Sequence, residues 1–253
     1  MSAAPAPDLD ALARRLAAAR RVTVLTGAGV SAASVVPTFR GRDGLWNRRS
    51  VTDLATPAAF ARDPRAVWEW YDWRRQVIAL CEPNRAHVVL AEWSADPGLT
   101  LITQNVDGLH ERAGARDVVR FHGSLWEVCC HAGCADAPER WWDDRAPLPE
   151  LPPLCAYCGD VLRPGVVWFG EAIPAAALER SLAATECDVF LVVGTSAQVT
   201  PAASLVVAAR QAGAYTVEIN TEPTAASATV DLVLPGRAEE LLDELDARRG
   251  ALR

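Results

Sequence analysis

The sequence predicts an α/β protein: a doubly wound parallel sheet with a smaller inserted lobe that binds a metal and is partly helical. Three observations lead there. Short apolar runs alternate with helical stretches along most of the 253 residues. The chemically suggestive groups fall just after those runs, where such sheets take their ligands. Two stretches, 40–83 and 124–165, break the alternation; the first is helical and Trp-rich, the second Cys- and Pro-rich.

Half of the residues are hydrophobic, enough for a full core. No apolar run is long enough to span a membrane. The first residues, with Asp8 and Asp10, lack the compact apolar core of a signal peptide, so a cytoplasmic protein is expected. A net charge of −7 leaves no basic footprint for nucleic acid. All 25 basic residues are arginine, so no side-chain amine is open to acylation or Schiff-base chemistry.

In chain order, residues 1–21 read as a short tail leading into a helix. RRVTVLTGAGVSAASVV (20–36) reads as a buried strand, a tight glycine turn and a helix start. Gly27, Ala28, Gly29 and Ser31, with Ala32 in the third small position, approximate G-x-G-x-x-G/A. Two glycines let backbone approach a pyrophosphate, and the first amides of the helix face the anion. No acidic residue ends a second strand about twenty residues on, as a dinucleotide dehydrogenase requires. A simple strand–helix turn is the alternative.

Asp63-Pro64 reads as an N-cap with proline at the first helical position. From there Val67, Tyr71, Arg74 and Ile78 share one face, flanked by Trp70 and Val77, while Glu69, Asp72, Arg75 and Gln76 point elsewhere. Arg74 stands inside an apolar stripe and requires an anionic partner, from the protein or from a ligand.

LTLITQNVDGLH (99–110) is a second apolar strand with a polar end, where Asn105 and Asp107 can hold an amide or a ribose. His122, in Phe121-His122-Gly123, is the natural general base near neutral pH. Five of the seven cysteines crowd into residues 129–158. Cys130-x3-Cys134, twenty residues, then Cys155-x2-Cys158 makes two knuckles that suit tetrahedral zinc closed to water, with Cys129 competing for the first position. Residues 187–213 read as strand, loop and helix, 214–223 as a strand with a polar end, and 230–249 as a closing strand and helix.

GAGVSAASVVPTFRGRDGLW, QNVDGLH, FHGSLW, the paired cysteines, LRPGVVWFGE, VVGTSAQVTPA and EINTEPT occur in one order across residues 15–245 and resemble the sirtuins, NAD-dependent protein deacylases. The resemblance implies a discontinuous Rossmann-like domain (1–39, 84–123 and 166–253), with a helical insertion (40–83) and a zinc ribbon (124–165) forming the small lobe. NAD and acyl-lysine would meet between them. By motif, Gly27–Trp46 would wrap NAD through Thr38, Phe39, Arg40 and Trp46. Gln104, Asn105, Val106 and Asp107 would line the ribose and nicotinamide pocket. Gly194, Thr195 and Ser196 would hold ribose and phosphate, Asn220, Thr221 and Glu222 the adenosine ribose, and Ala238 would sit by the adenine. Val167, Trp168, Phe169, Gly170 and Glu171 would pair with the substrate backbone as an added strand. Cys130, Cys134, Cys155 and Cys158 would hold one structural zinc, Cys130 being preferred for its distance from His122.

The implied reaction moves no hydride. The acyl oxygen attacks the ribose carbon as nicotinamide leaves, Asn105 and Asp107 orient the cofactor, and His122 draws a proton from a ribose hydroxyl. The products are free lysine, nicotinamide and O-acyl-ADP-ribose. Tyr71-Asp72-Trp73-Arg74 matches the Tyr-x-x-Arg pair of sirtuins that remove succinyl and malonyl groups, with Ala55 at their small position. A three-residue step puts hydroxyl and guanidinium on one helical face, fit to clasp a carboxylate. The expectation is a desuccinylase and demalonylase with weaker deacetylase activity. It would act on acylated-lysine proteins, without nucleic acid or membrane, as a monomer or weak oligomer. A general deacetylase, an ADP-ribosyltransferase and a non-catalytic NAD sensor are the alternatives.

Overall fold

The computed structural model describes residues 6–36 and 54–252. Thr38, Phe39, Arg40 and Trp46 lie outside the described residues. The larger sheet contains β1 (Val22–Thr26), β2 (Leu99–Thr103), β3 (Val119–Arg120), β7 (Val189–Val193), β8 (Tyr215–Asn220) and β9 (Leu232–Pro235). All pair in parallel in the order β3-β2-β1-β7-β8-β9. VTVLT and VFLVV are buried at every position, as strands covered on both faces must be.

Alternate residues feed two cores. Val22, Val24, Leu101, Val189 and Leu191 pack with α1 (Ala6–Ala18), α4 (Arg85–Trp93) and α8 (Ala238–Gly250). Leu25, Ile102, Phe190 and Val192 face α7 (Ala202–Gln211) on the other side, where α6 (Ala175–Ala183) also packs. Strand order reverses between β1 and β7, so the loops after these strands open the crevice where such sheets bind ligands.

The helix start after β1 is a 3₁₀ segment, Ala28–Ser34, rather than an α-helix. At three residues per turn Ser31 and Ser34 eclipse, and both are buried. The segment ends at Val35, whose φ of 62° breaks the helix.

The smaller lobe has its own core. It joins α2 (Pro57–Arg62) and α3 (Pro64–Ala79) to an antiparallel sheet ordered β5-β4-β6, made of β4 (Gly123–Cys130), β5 (Trp141–Trp142) and β6 (Leu162–Val166). Asp63 caps α3 by accepting from the Ala66 amide at 3.0 Å, ahead of Pro64. Val67, Tyr71, Arg74 and Ile78 are buried along one face as expected. Asp72 and Arg75 are buried too, which helical periodicity did not suggest. Arg75 Nε donates to the Leu125 carbonyl at 2.7 Å and pairs with Asp143 at 3.6 Å, while Asp72 accepts from the Leu148 amide at 2.8 Å. The segment around 143–148 covers the side of α3 that bears Asp72 and Arg75, and these two side chains bond to its backbone at Leu148 and Arg145. Among the described residues, no helix is long and apolar enough to cross a membrane.

Removing one partner of a buried pair strands the other charge. Asp143→Ala is expected to cost about 3 kcal/mol in urea unfolding. Glu69→Ala, at an exposed i,i+4 pair with Arg65, is expected to cost less than about 0.5 kcal/mol.

Candidate active site

A cleft of about 1250 Å³ opens between the sheet's carboxyl edge and the small lobe. From the sheet side it is lined by Gly27, Ala28 and Gly29 after β1, Gln104, Asn105 and Val106 after β2, and His122 after β3. Gly194, Thr195 and Ser196 follow β7, Asn220, Thr221 and Glu222 close β8, and Ala238 opens α8. From the lobe side come Ala55, Tyr71, Arg74 and the run Val167, Trp168, Phe169, Gly170 and Glu171. Ser31 and Asp107 lie beneath the floor, buried, and brace it rather than line it.

Glycine is required here by contact between loops. The Gly29 amide donates to the Gly194 carbonyl at 2.7 Å. A Cβ on Gly29 would meet that oxygen at 2.7 Å, and one on Gly194, at φ 60°, would meet the Val30 nitrogen at 2.4 Å. Gln104 Nε2 donates to Thr195 Oγ1 at 2.9 Å and Asn220 Nδ2 to the Thr195 carbonyl at 2.9 Å, so three strand ends are tied at Thr195.

His122 Nδ1 lies 3.1 Å from the Gln104 carbonyl. A carbonyl only accepts, so this hydrogen-bond network assigns the proton to Nδ1 and leaves Nε2 bare. Burial pushes the pKa of His122 down and holds the ring neutral, the state a general base requires.

Ser31 organises the buried floor. The Asn84 amide donates to His87 Nδ1 at 3.2 Å, so the His87 proton sits on Nε2, which faces Ser31 Oγ at 3.2 Å. Asn105 Nδ2 also donates to Ser31 Oγ at 3.2 Å, and Ser31 donates onward to Asp107 Oδ2 at 2.8 Å. Asn105 gives its other amide hydrogen to the Gly27 carbonyl at 3.1 Å, so Oδ1 is what its side chain offers the cleft. Burial raises the pKa of Asp107 and lowers that of His87 to about 4. Sequence reading missed His87, although Asn84-x-x-His87 is a capping-box spacing just before an apolar run. It also missed Trp70, Gln198 and Arg237, which line the cleft.

In the small lobe, Tyr71 is buried, its ring edge-on to Trp70 at 4.7 Å. Its hydroxyl accepts from Trp168 Nε1 at 2.9 Å. The Arg74 guanidinium stands 5.2 Å from the Trp70 ring centre. Burial raises Tyr71 to about 12 and lowers Arg74 to about 10, so at neutral pH the phenol keeps its hydrogen and the guanidinium its charge. Residues 167–171 do not form a strand. The amides of Val167, Phe169 and Trp168 already donate to the His122 carbonyl, the Ala55 carbonyl and the Glu171 carboxylate, at 2.9, 3.0 and 2.8 Å. A peptide added here would therefore meet mainly carbonyl groups.

The Sγ atoms of Cys130, Cys134, Cys155 and Cys158 all lie within 4.8 Å of one another, with Cys130 to Cys158 at 3.5 Å and Cys134 to Cys155 at 3.8 Å. Zinc–sulfur legs of about 2.3 Å make a tetrahedron with edges of about 3.8 Å, so the donor set fits one structural zinc. Adjacent residues of β4 face opposite ways, and the Cys129 thiol turns instead to the Arg163 carbonyl at 4.0 Å. That decides for Cys130.

The Sir2 family profile matches residues 27–201. An NAD-dependent protein deacylase of Pyrobaculum aerophilum is 50% identical over 91% of this chain and 91% of its own. One from Aquifex aeolicus is 49% identical over 83% of this chain and 87% of its own. The crystal structure of a Sir2 homologue bound to NAD superposes with a TM-score of 0.88 at 46% identity, covering 96% of this chain and 95% of that one.

Metal analysis is expected to find about one zinc per chain. Cys134→Ser should release it and lower the melting temperature, whereas Cys129→Ser should keep the metal.

Proposed function

The chain belongs to the Sir2 family of NAD-dependent protein deacylases, and from that premise we propose an enzyme that removes succinyl and malonyl groups from protein lysine in preference to acetyl. One observation carries the preference. Tyr71 and Arg74 line the same cleft as His122, with the small side chain of Ala55 beside them. A phenol that keeps its hydrogen and a guanidinium that keeps its charge are both donors at neutral pH. A terminal carboxylate on the acyl chain matches them with charge-assisted hydrogen bonds; the methyl of an acetyl group does not.

NAD, when bound, supplies an electrophilic ribose carbon and nicotinamide as its leaving group. The glycine loop after β1 and the Gly194–Ser196 loop line the cleft and would hold the phosphates, and Asn220, Thr221, Glu222 and Ala238 the adenosine end. Gln104, Asn105 and Val106 hold the nicotinamide side, with Asn105 fixed from below by Ser31 and the Gly27 carbonyl. Asp107 acts from beneath by fixing Ser31. The Oδ1 of Asn105 orients a donor on the ligand. His122 Nε2 would take the ribose hydroxyl proton, so that the hydroxyl could attack the acyl carbon. Free lysine, nicotinamide and O-acyl-ADP-ribose would be the products, with one water consumed. Acylated-lysine segments of other proteins dock along Val167–Glu171. Residues 40–83 and 124–165 act as the lobe that brings the acyl pocket to the cofactor domain.

Peptides of one sequence bearing succinyl-, malonyl- or acetyl-lysine test the reading. Acidic acyl groups should leave faster, and Arg74→Met should cost roughly 1.5–3 kcal/mol, about 10- to 150-fold, on them. Equal rates on all three, untouched by Arg74→Met, would sink the idea. His122→Ala should lower turnover about 10²- to 10⁴-fold. The neutral imidazole is the working form and burial lowers its pKa. The rate should therefore hold at pH 7 and fall only as pH drops, with an apparent pKa below the ordinary 6.5.

A further inference from the structure

We propose that Trp168 is a specificity-positioning residue: its indole N–H turns the Tyr71 hydroxyl hydrogen toward the cleft, so that Tyr71 meets the acyl group as a donor. This rests on the acidic-acyl reading above and assigns a cause to it.

A phenol hydroxyl can serve as donor or acceptor, and the two have opposite consequences here. Turned as a donor it binds a carboxylate; turned with its lone pairs outward it repels one. The partner decides which. An indole nitrogen only donates. Trp168 Nε1 lies 2.9 Å from Tyr71 Oη, so that oxygen must accept on this side. The hydroxyl hydrogen keeps near the ring plane and is left the opposite direction. Among the described residues no group accepts it, while Tyr71 lines the cleft beside Arg74.

The indole is itself held at its ring and at its backbone. The Arg163 guanidinium lies 3.8 Å from the ring centre. Arg163 grips Glu171 through two bonds of 2.7 and 2.9 Å, and Glu171 accepts the Trp168 amide at 2.8 Å. Phe60 packs against the ring at 5.2 Å between centroids. A phenylalanine at 168 would fill most of this space, so bulk alone does not call for tryptophan. The indole N–H is what it adds.

The test measures kcat/KM for succinyl- and acetyl-lysine peptides of one sequence, at saturating NAD. Trp168→Phe should lower the succinyl rate about tenfold more than the acetyl rate, chiefly through KM. In a Tyr71→Phe background, where no hydroxyl remains to orient, Trp168→Phe should not change the succinyl-to-acetyl ratio further. Benzothienylalanine at 168 keeps the indole shape without the N–H. It should reproduce the loss of ratio with zinc content and melting temperature preserved, which separates the hydrogen bond from packing. A wild type that prefers succinyl, with the ratio unchanged by both replacements, overturns this proposal and leaves the acidic-acyl reading standing. So does an effect of equal size with and without the Tyr71 hydroxyl. A wild type with no preference overturns that reading, and this proposal with it.

Discussion

The contact between Gly29 and Gly194 is the constraint on which the site depends. Strand order reverses between β1 and β7, and the loops leaving these strands meet backbone to backbone. Any Cβ at either position would collide with main chain, which is far less able to yield than a side chain. Because this approach holds, Thr195 falls within reach of Gln104 and Asn220, and three strand ends become one rigid floor. A ligand stretched across a switch point needs such a floor, since each loop alone would be free to move.

The second constraint is the way the small lobe is fastened. The segments 54–81 and 123–168 share one core, in which Trp68 donates to the Leu162 carbonyl at 2.6 Å and Arg75 to the Leu125 carbonyl at 2.7 Å. The zinc cysteines close the far end of the same sheet. His122 stands where the chain leaves β3 of one sheet for β4 of the other, and its ring bonds back to Gln104. The imidazole is thus held by the large sheet while its own carbonyl accepts from Val167. Tyr71 reaches the cleft from α3 through the same lobe, so His122 and Tyr71 line one cleft on a shared packed framework.

Buried polar groups set the charge pattern of the cleft. Each is tied to a specific partner, and that partner selects its protonation and direction: Asn84 fixes His87, His87 and Asn105 fix Ser31, and Ser31 faces Asp107. The same logic fixes the Tyr71 hydroxyl through Trp168. In a low-dielectric site such one-way chains leave few alternative arrangements.

Much of this was legible in the sequence because it depends on local pattern. VFLVV is apolar at every position and VTVLT at three of five, with threonine at the other two, the pattern of strands covered on both faces. Asp63-Pro64 set the start of α3, and four cysteines at knuckle spacing announced a metal site. What sequence could not decide depends on residues far apart along the chain. Cys129 and Cys130 are adjacent and chemically equal; the register of β4 against β6 turned one to the cluster and the other away. Asp72 and Arg75 lie off the apolar stripe of their helix, and only the 143–148 segment buried them. The seven residues after Gly27 form a 3₁₀ segment with both Ser31 and Ser34 buried, which their sequence did not indicate. Periodicity and spacing follow from neighbours along the chain and can be read from it. Burial, register and hydrogen-bond direction follow from neighbours in space, and only the packed structure supplies those.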